Sequence, residues 1–365
     1  MINIPNHITK IDESLFRELQ DILDQELKTS KGIGASVAVL FPTQDIWIGT
    51  SGMSDPLNSE TIQSDTLFYI GSINKNFIAA LILKLVEEGR LTLEDKIYNW
   101  LPSHENINNE IIIRQLLNHT SGIFDYIEHT NSYDKKRLGY FDLSKIWTPE
   151  EIISRFLKKP YFPPGKGWHY SSTNYLLLMM IIESITQSKI FYEIRHRLLD
   201  PLGLKSIFFD YYEKIPPEFP IAHNWFDLNQ NGTLIDLMTK PRDAIATWAY
   251  GEMYSNATDL VKWFDYLFHG KVINNYSLEK MLTFIYPTPG ENWMEGYGLG
   301  IGESSFGKLK YWLHAGSIFG YTSAVVHIPS INLSLAILGN DNTVSVESIG
   351  YALVATILSY FQSLG

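Results

Sequence analysis

Leu67-Phe68-Tyr69-Ile70-Gly71-Ser72-Ile73-Asn74-Lys75-Asn76-Phe77 (residues 67–77) changes character halfway along. LFYIGS reads as an extended segment. From about Ser72 to Glu88 the residues predict a long apolar helix, with Gly89 placed as its C-terminal cap. A serine at that junction has its hydroxyl over the positive end of the helix, which favours an alkoxide-like state. Lys75, three residues on, shares its face. Burial there disfavours the charged ammonium, so Lys75 becomes a candidate base toward Ser72. S-x-x-K alone is a weak pattern. The chain holds four, at Ser72, Ser132, Ser277 and Ser305, and only Ser72 sits where a strand meets a long apolar helix.

Strand signals lie on either side of this point. Upstream, an amphipathic helix over 12–28 precedes GASVAVLF (34–41) and DIWIGTSG (45–52), two strands around a Pro42-Thr43-Gln44 turn. Downstream, from about 90 to 285, the signals are mostly helical: IIIRQLLNH, PEEIISRFLKK, NYLLLMMIIESIT and ATDLVKWFDYLFHG. From 297 strands return as YGLGIG, KLKYWLHAG, YTSAVVHI and NLSLAILG, before a final helix over 345–362. The expected fold is α/β, of the α+β type: an antiparallel sheet flanked by helices, with a mostly helical domain inserted. The division is 1–66 with 285–365 for the discontinuous sheet domain and 67–284 for the helical one, the site lying in the cleft between.

Two further motifs follow the serine. Pro163-Pro164-Gly165-Lys166-Gly167-Trp168-His169-Tyr170-Ser171-Ser172-Thr173-Asn174 is a tight turn leading through a polar loop into an apolar helix. Tyr170 on that loop can shuttle a proton if a nearby cation depresses its pKa; taken alone, it better suits a half-buried aromatic with a satisfied hydroxyl. Trp312-Leu313-His314-Ala315-Gly316-Ser317 lies on a late strand. There Gly316 lets a substrate backbone approach, and the Ser317 N–H with that of Ser72 can form an oxyanion hole. Asp227-Leu228-Asn229-Gln230-Asn231-Gly232 imitates a calcium loop, but its twelfth position is Met238 rather than glutamate. Asn231-Gly232 is better read as a turn. No metal or cofactor motif is present, so none is expected.

In this order the three motifs resemble the serine β-lactamase and penicillin-binding superfamily. The likeness is nearest to its class C β-lactamase, D-alanyl-D-alanine carboxypeptidase and family VIII carboxylesterase branch. EEGRLTLEDKIYNWLP (87–102), LLNHTSGI (116–123), FPPGKGWHYSSTNYLLL (162–178), GEMYSNATDLVKWF (251–264) and YGLGIG (297–302) are similar to that branch as well, mostly as scaffold. The resemblance implies that Ser72 is acylated and that Lys75 and Tyr170 activate it and relay protons. It also implies that His314-Ala315-Gly316 occupies the K-T-G strand position, with Ser72 and Ser317 giving oxyanion N–H groups. One position departs: where relatives carry Y-x-N, the third residue is Ser172, while Asn174 matches a later, structural asparagine. A serine cannot offer the paired donor and acceptor of an amide, a loss of about 1–3 kcal/mol where the partner is buried.

The expected activity is therefore a Ser-Lys-Tyr acyl-enzyme hydrolase acting on a small ester, amide or peptide substrate. A penicillin-binding carboxypeptidase, a weak β-lactamase, an acyltransferase and a non-catalytic scaffold are the alternatives. Trp168, Trp225, Trp248 and Trp293 suit an apolar acyl pocket. Composition narrows the chemistry further. The 365 residues contain no cysteine, which excludes a thiol nucleophile and thiolate-held metals. The net charge of −11 argues against a nucleic-acid partner. No run of about 18 apolar residues is present to span a membrane. MINIPNHITKIDE lacks the features of a signal peptide, so the expectation is a cytoplasmic protein or one whose signal has been removed. Oligomeric state is left open.

Overall fold

A computed structural model describes residues 10–127, 147–210, 212–227, 231–238, 253–287, 294–318 and 320–364. The first helix, α1 (Glu13–Ser30), begins where Asp12 accepts the Ser14 N–H at 2.6 Å. Leu15, Leu19, Leu23 and Leu27 form its buried stripe, at the spacing the sequence predicts. Strands β1 (Gly34–Leu40), β2 (Ile46–Asp55) and β3 (Glu60–Thr61) follow.

The decisive segment contributes β4 (Phe68–Tyr69), then a 3-10 turn over Gly71–Ile73, then α2 (Asn74–Glu87). Ser72 thus lies within a tight turn rather than capping a continuous helix. The middle of the chain holds α3 (Ile113–Leu117), α4 (Pro149–Phe156), α5 (Ser172–Thr186), α6 (Ile190–Ile194) and α7 (Asp200–Leu202). Short strands β5 (Phe208–Phe209), β6 (Trp225–Phe226), β7 (Ile235–Asp236) and β8 (Met253–Ser255) precede α8 (Ala257–Phe268) and α9 (Asn275–Met281). The chain closes with β9 (Gly296–Tyr297), β10 (Gly302–Phe306), β11 (Leu309–Ile318), β12 (Tyr321–Ile328), β13 (Leu333–Gly339) and α10 (Val346–Leu364). YGLGIG, expected as one strand, is two short ends around a turn in which Gly298 N–H bonds Ile301 O at 2.8 Å.

The large sheet runs β3-β2-β1-β13-β12-β11-β10-β9, and its neighbours are antiparallel. Strands from the two ends of the chain meet at β1 and β13, where Val37 faces Ile337 and Ala38 faces Ala336. Both strands are buried along their whole length, which requires cover on both faces. Side-chain alternation supplies it. Val37, Val39, Leu335 and Ile337 pack with Leu19, Leu23, Leu353 and Ile357 of α1 and α10. Ala38, Leu40, Ala336 and Leu338 point the other way, into a second core with Phe77, Leu81, Trp263 and Phe264 of α2 and α8. The fold is mixed α and β, an antiparallel sheet flanked by helices. Among the described residues no helix is long and apolar enough to cross a membrane.

Candidate active site

Ser72 is held by the fit of its turn against β11. Gly71 has φ +51°, and a Cβ there would lie 3.0 Å from Ser317 N. Gly316 is tighter still: a Cβ would meet Ile70 O at 2.1 Å, the Ser323 hydroxyl at 2.6 Å and Ser72 N at 2.9 Å. Ser323 also donates to Ile70 O at 2.8 Å, tying β12 to the same turn. Gly316 is therefore required by the protein's own chain, where the sequence suggested an approach by substrate. This fit brings the backbone N–H groups of Ser72 and Ser317 beside one another. β10 pairs with β11 only as far as Gly302 opposite Leu313, and β12 covers the other side of 314–318. Among the described residues, the far end of β11 consequently has no strand of the sheet on its β10 side.

Lys75 is 2% exposed, and its Nζ donates to Ser72 Oγ at 3.0 Å. Burial pulls its pKa down to about 8, while the Asp125 carboxylate holds it up. The Nζ lies 5.4 Å from the ring centre of Tyr170 and 5.8 Å from that of Tyr175. Tyr170 is half-buried and hydrogen-bonds Ser72. Burial raises its pKa, with the Ser72 bond pulling the other way, so Tyr170 is a neutral phenol. The depression by a neighbouring cation that its sequence context suggested is absent.

His314 faces the same space from β11. Its Nδ1 lies 2.9 Å from Ala315 O, which places a proton on Nδ1, and its Nε2 then accepts from the Tyr297 hydroxyl at 3.1 Å. Burial, reinforced by Lys75, pushes its pKa to about 3. Where lysine at this strand position would present a cation, this histidine is neutral. Ser172, buried in the first turn of α5, uses its N–H to bond Asp125 Oδ1 at 3.2 Å. Asn174 bonds Ser121 Oγ at 2.6 Å and His119 Nδ1 at 3.0 Å, a bracing role between loops.

Three residues beside the cluster were not singled out from sequence: His119, Asp125 and Tyr297. His119 and Tyr297 sit inside LLNHTSGI and YGLGIG, stretches read as scaffold, and Asp125 lies two residues beyond the first. Their position between Tyr170, Lys75 and His314 depends on loop packing, which no spacing rule reports. Among the tryptophans, Trp168 borders the cluster, with its ring centre 6.1 Å from that of His119. Trp225 is buried in β6, and Trp248 and Trp293 lie outside the described residues. Asp227 accepts the N–H groups of Asn231 and Gly232 at 3.1 and 2.7 Å, a turn in the loop between β6 and β7. Among the described residues no group of three or more His, Asp or Glu side chains is placed to hold a metal ion.

A sequence profile for the family described as Beta-lactamase matches residues 19–356. Penicillin-binding protein 4* of Bacillus subtilis (strain 168) is 26% identical over 303 residues, covering 79% of this chain. The match spans 64% of that relative's own length, somewhat under two thirds. Of solved structures, the D-stereospecific amidohydrolase from Streptomyces sp. superposes with a TM-score of 0.80 at 28% identity, over 94% of this chain and 98% of that one. The D-amino acid amidase from Ochrobactrum anthropi SV3, complexed with L-phenylalanine amide, gives 0.83 at 25% identity, over 96% and 100%. A match over nearly the whole length, on a sheet built from both ends of the chain, establishes that this chain belongs to the Beta-lactamase family.

Proposed function

We propose that the protein is a serine hydrolase that forms and then hydrolyses an acyl-enzyme on Ser72, and that its substrates are small esters or D-amino-acid amides with uncharged leaving groups. The observation that carries this reading is the 3.0 Å approach of a fully buried Lys75 Nζ to Ser72 Oγ. With its pKa at about 8, roughly one tenth of Lys75 is free amine at pH 7, against roughly one in three thousand for an ordinary lysine. The free amine takes the Ser72 proton as Oγ attacks the carbonyl carbon. The developing oxyanion is received by the N–H groups of Ser72 and Ser317. Tyr170, a neutral phenol bonded to Ser72, passes a proton to the leaving oxygen or nitrogen and is reprotonated from the Lys75 ammonium. Water then attacks the ester by the same route in reverse.

Two features favour small esters and amides that lack a carboxylate over carboxylate-ended peptides. His314 brings no positive charge to meet a carboxylate, and Ser172 replaces the amide-reading asparagine of Y-x-N. The amidohydrolase and D-amino acid amidase structures support the choice of substrate class. In this reading the site lies between the sheet domain (1–66 and 285–365) and the helical domain (67–284), and one core shared by Ala38, Leu338, Phe77 and Trp263 joins them. The test is Ser72→Ala. It abolishes cleavage of a p-nitrophenyl ester and of D-phenylalanine amide; a variant with the wild-type rate overturns the assignment. The name of the Bacillus relative favours a second reading, penicillin binding, which predicts a covalent penicillin adduct on Ser72 by intact mass.

A further inference from the structure

We propose that His119 is a positioning residue that holds Tyr170 in register with Ser72, an inference that rests on the Ser-Lys-Tyr reading above. His119 grips the chain on both sides of Tyr170. Its backbone oxygen accepts the His169 N–H at 3.1 Å, and its ring Nδ1 accepts the Ser171 N–H at 3.1 Å. Between those two bonds stands Tyr170, whose ring centre lies 4.3 Å from that of the imidazole at a tilt of 34°. The imidazole also meets Tyr297, the partner of His314, with ring centres 4.8 Å apart at 60°. One ring thus touches the tyrosine bonded to Ser72 and the tyrosine bonded to His314.

The chemistry of the ring is specified from outside. The Ser171 N–H can only donate, which makes Nδ1 an acceptor; Ser121 Oγ, which accepts the Ile123 N–H, donates to Asn174 Oδ1, and the Asn174 NH2 faces the same Nδ1. Nδ1 therefore faces two donors and must accept, which places the single proton on Nε2. That Nε2 is buried and has no hydrogen-bond partner. The backbone at His119 has φ +63°, a left-handed conformation that non-glycine residues seldom adopt. A residue kept only to fill space need combine neither an unpaired buried donor nor a costly backbone angle, and their concentration beside a reacting group is the mark of a functional constraint. Phenylalanine or leucine could supply the bulk. Only a group with an acceptor at the Nδ1 position can hold Ser171.

The test is a double-mutant cycle with p-nitrophenyl ester turnover. His119→Ala lowers kcat by about 10- to 100-fold with KM changed by less than about threefold, and in a Tyr170→Phe background it costs less than about twofold more. His119→Asn tolerates the left-handed angle and can offer Oδ1 to the Ser171 N–H, so it recovers most of the loss. If His119→Ala fails to fold, His119→Gly, which adopts φ +63° without strain, replaces it with the same expectation. Equal fold-losses in both backgrounds, a change confined to KM, or no recovery by asparagine overturns the positioning role while an inactive Ser72→Ala leaves the hydrolase reading standing. Wild-type turnover by Tyr170→Phe overturns both the positioning role and the relay role given to Tyr170.

Discussion

Replacing Asp125 with asparagine removes a negative charge that props up the Lys75 pKa while keeping the carbonyl oxygen that the N–H groups of Ser172 and Ile127 need, at 3.2 and 3.1 Å. The sign follows from the Coulomb attraction. An adjacent carboxylate favours the ammonium, so its loss moves Lys75 below about 8. The reaction needs the free amine. In the wild type, kcat/KM therefore falls about tenfold from its plateau at pH 7 and about a hundredfold at pH 6, following one ionisation near 8. In Asp125→Asn the limb shifts toward acid, and the variant retains a larger share of its own plateau at pH 6 than the wild type does. Initial rates on p-nitrophenyl acetate across pH 5.5 to 10, extrapolated to zero buffer, measure both limbs. A wild-type limb near the ordinary lysine value of about 10.4 refutes the desolvation argument. A limb that moves toward alkali in the variant refutes the assignment of Asp125 as the opposing charge.

Three other perturbations separate the parts of the site. Lys75→Met keeps the bulk and removes the buried amine. It abolishes turnover yet stabilises the fold at pH 7 by up to about 3 kcal/mol, the shift from 10.5 to about 8 expressed as energy. Because the folded pKa is the lower one, that advantage is complete below about pH 8 and fades as pH rises to 10.5, which urea melts at the two ends of the range detect. Gly316→Ala places a methyl 2.1 Å from Ile70 O and 2.9 Å from Ser72 N, so the Ser72 turn must shift and the acylation rate in stopped flow falls at least tenfold, by about 1.4 kcal/mol or more. Ser172→Asn raises the ratio of amide to ester turnover; an unchanged ratio means that this position does not read the substrate amide.

The legibility of the sequence divides along physical lines. Short apolar runs bounded by turn residues in GASVAVLF and NLSLAILG and helical spacing over 12–28 and 345–362 located most of the sheet and both helices on its outer face, because these patterns are local and are repeated over many residues. S-x-x-K and H-x-G were legible for a related reason: a strand-to-helix junction and a glycine-bearing strand are local contexts. The 3-10 turn at Gly71–Ile73 was not, since its shape answers to Gly316 and Ser323, roughly 250 residues away. Nor was the turn inside YGLGIG, whose apolar residues pass equally for a strand. His119 and Asp125 come from loops that meet the tyrosine segment only after folding, so nothing in their own neighbourhood marks them.

The site's electrostatics follow from one cause acting unequally. Desolvation lowers Lys75, His119 and His314 alike. The two imidazoles begin near 6.5, so burial takes them out of the working range, His314 to about 3. Lysine begins four units higher, and the same penalty, moderated by Asp125, leaves it at about 8. Histidine at either position is thereby locked in one tautomer, a fixed donor or acceptor rather than a switch. Lysine, the residue with the highest ordinary value of the three, is the one that burial brings into range as a base. A pH–rate profile governed by Lys75 alone, without a second limb from a histidine, is the consequence. A bell with an acid limb near 6.5 requires one of the imidazoles to be open to water, which is incompatible with their complete burial.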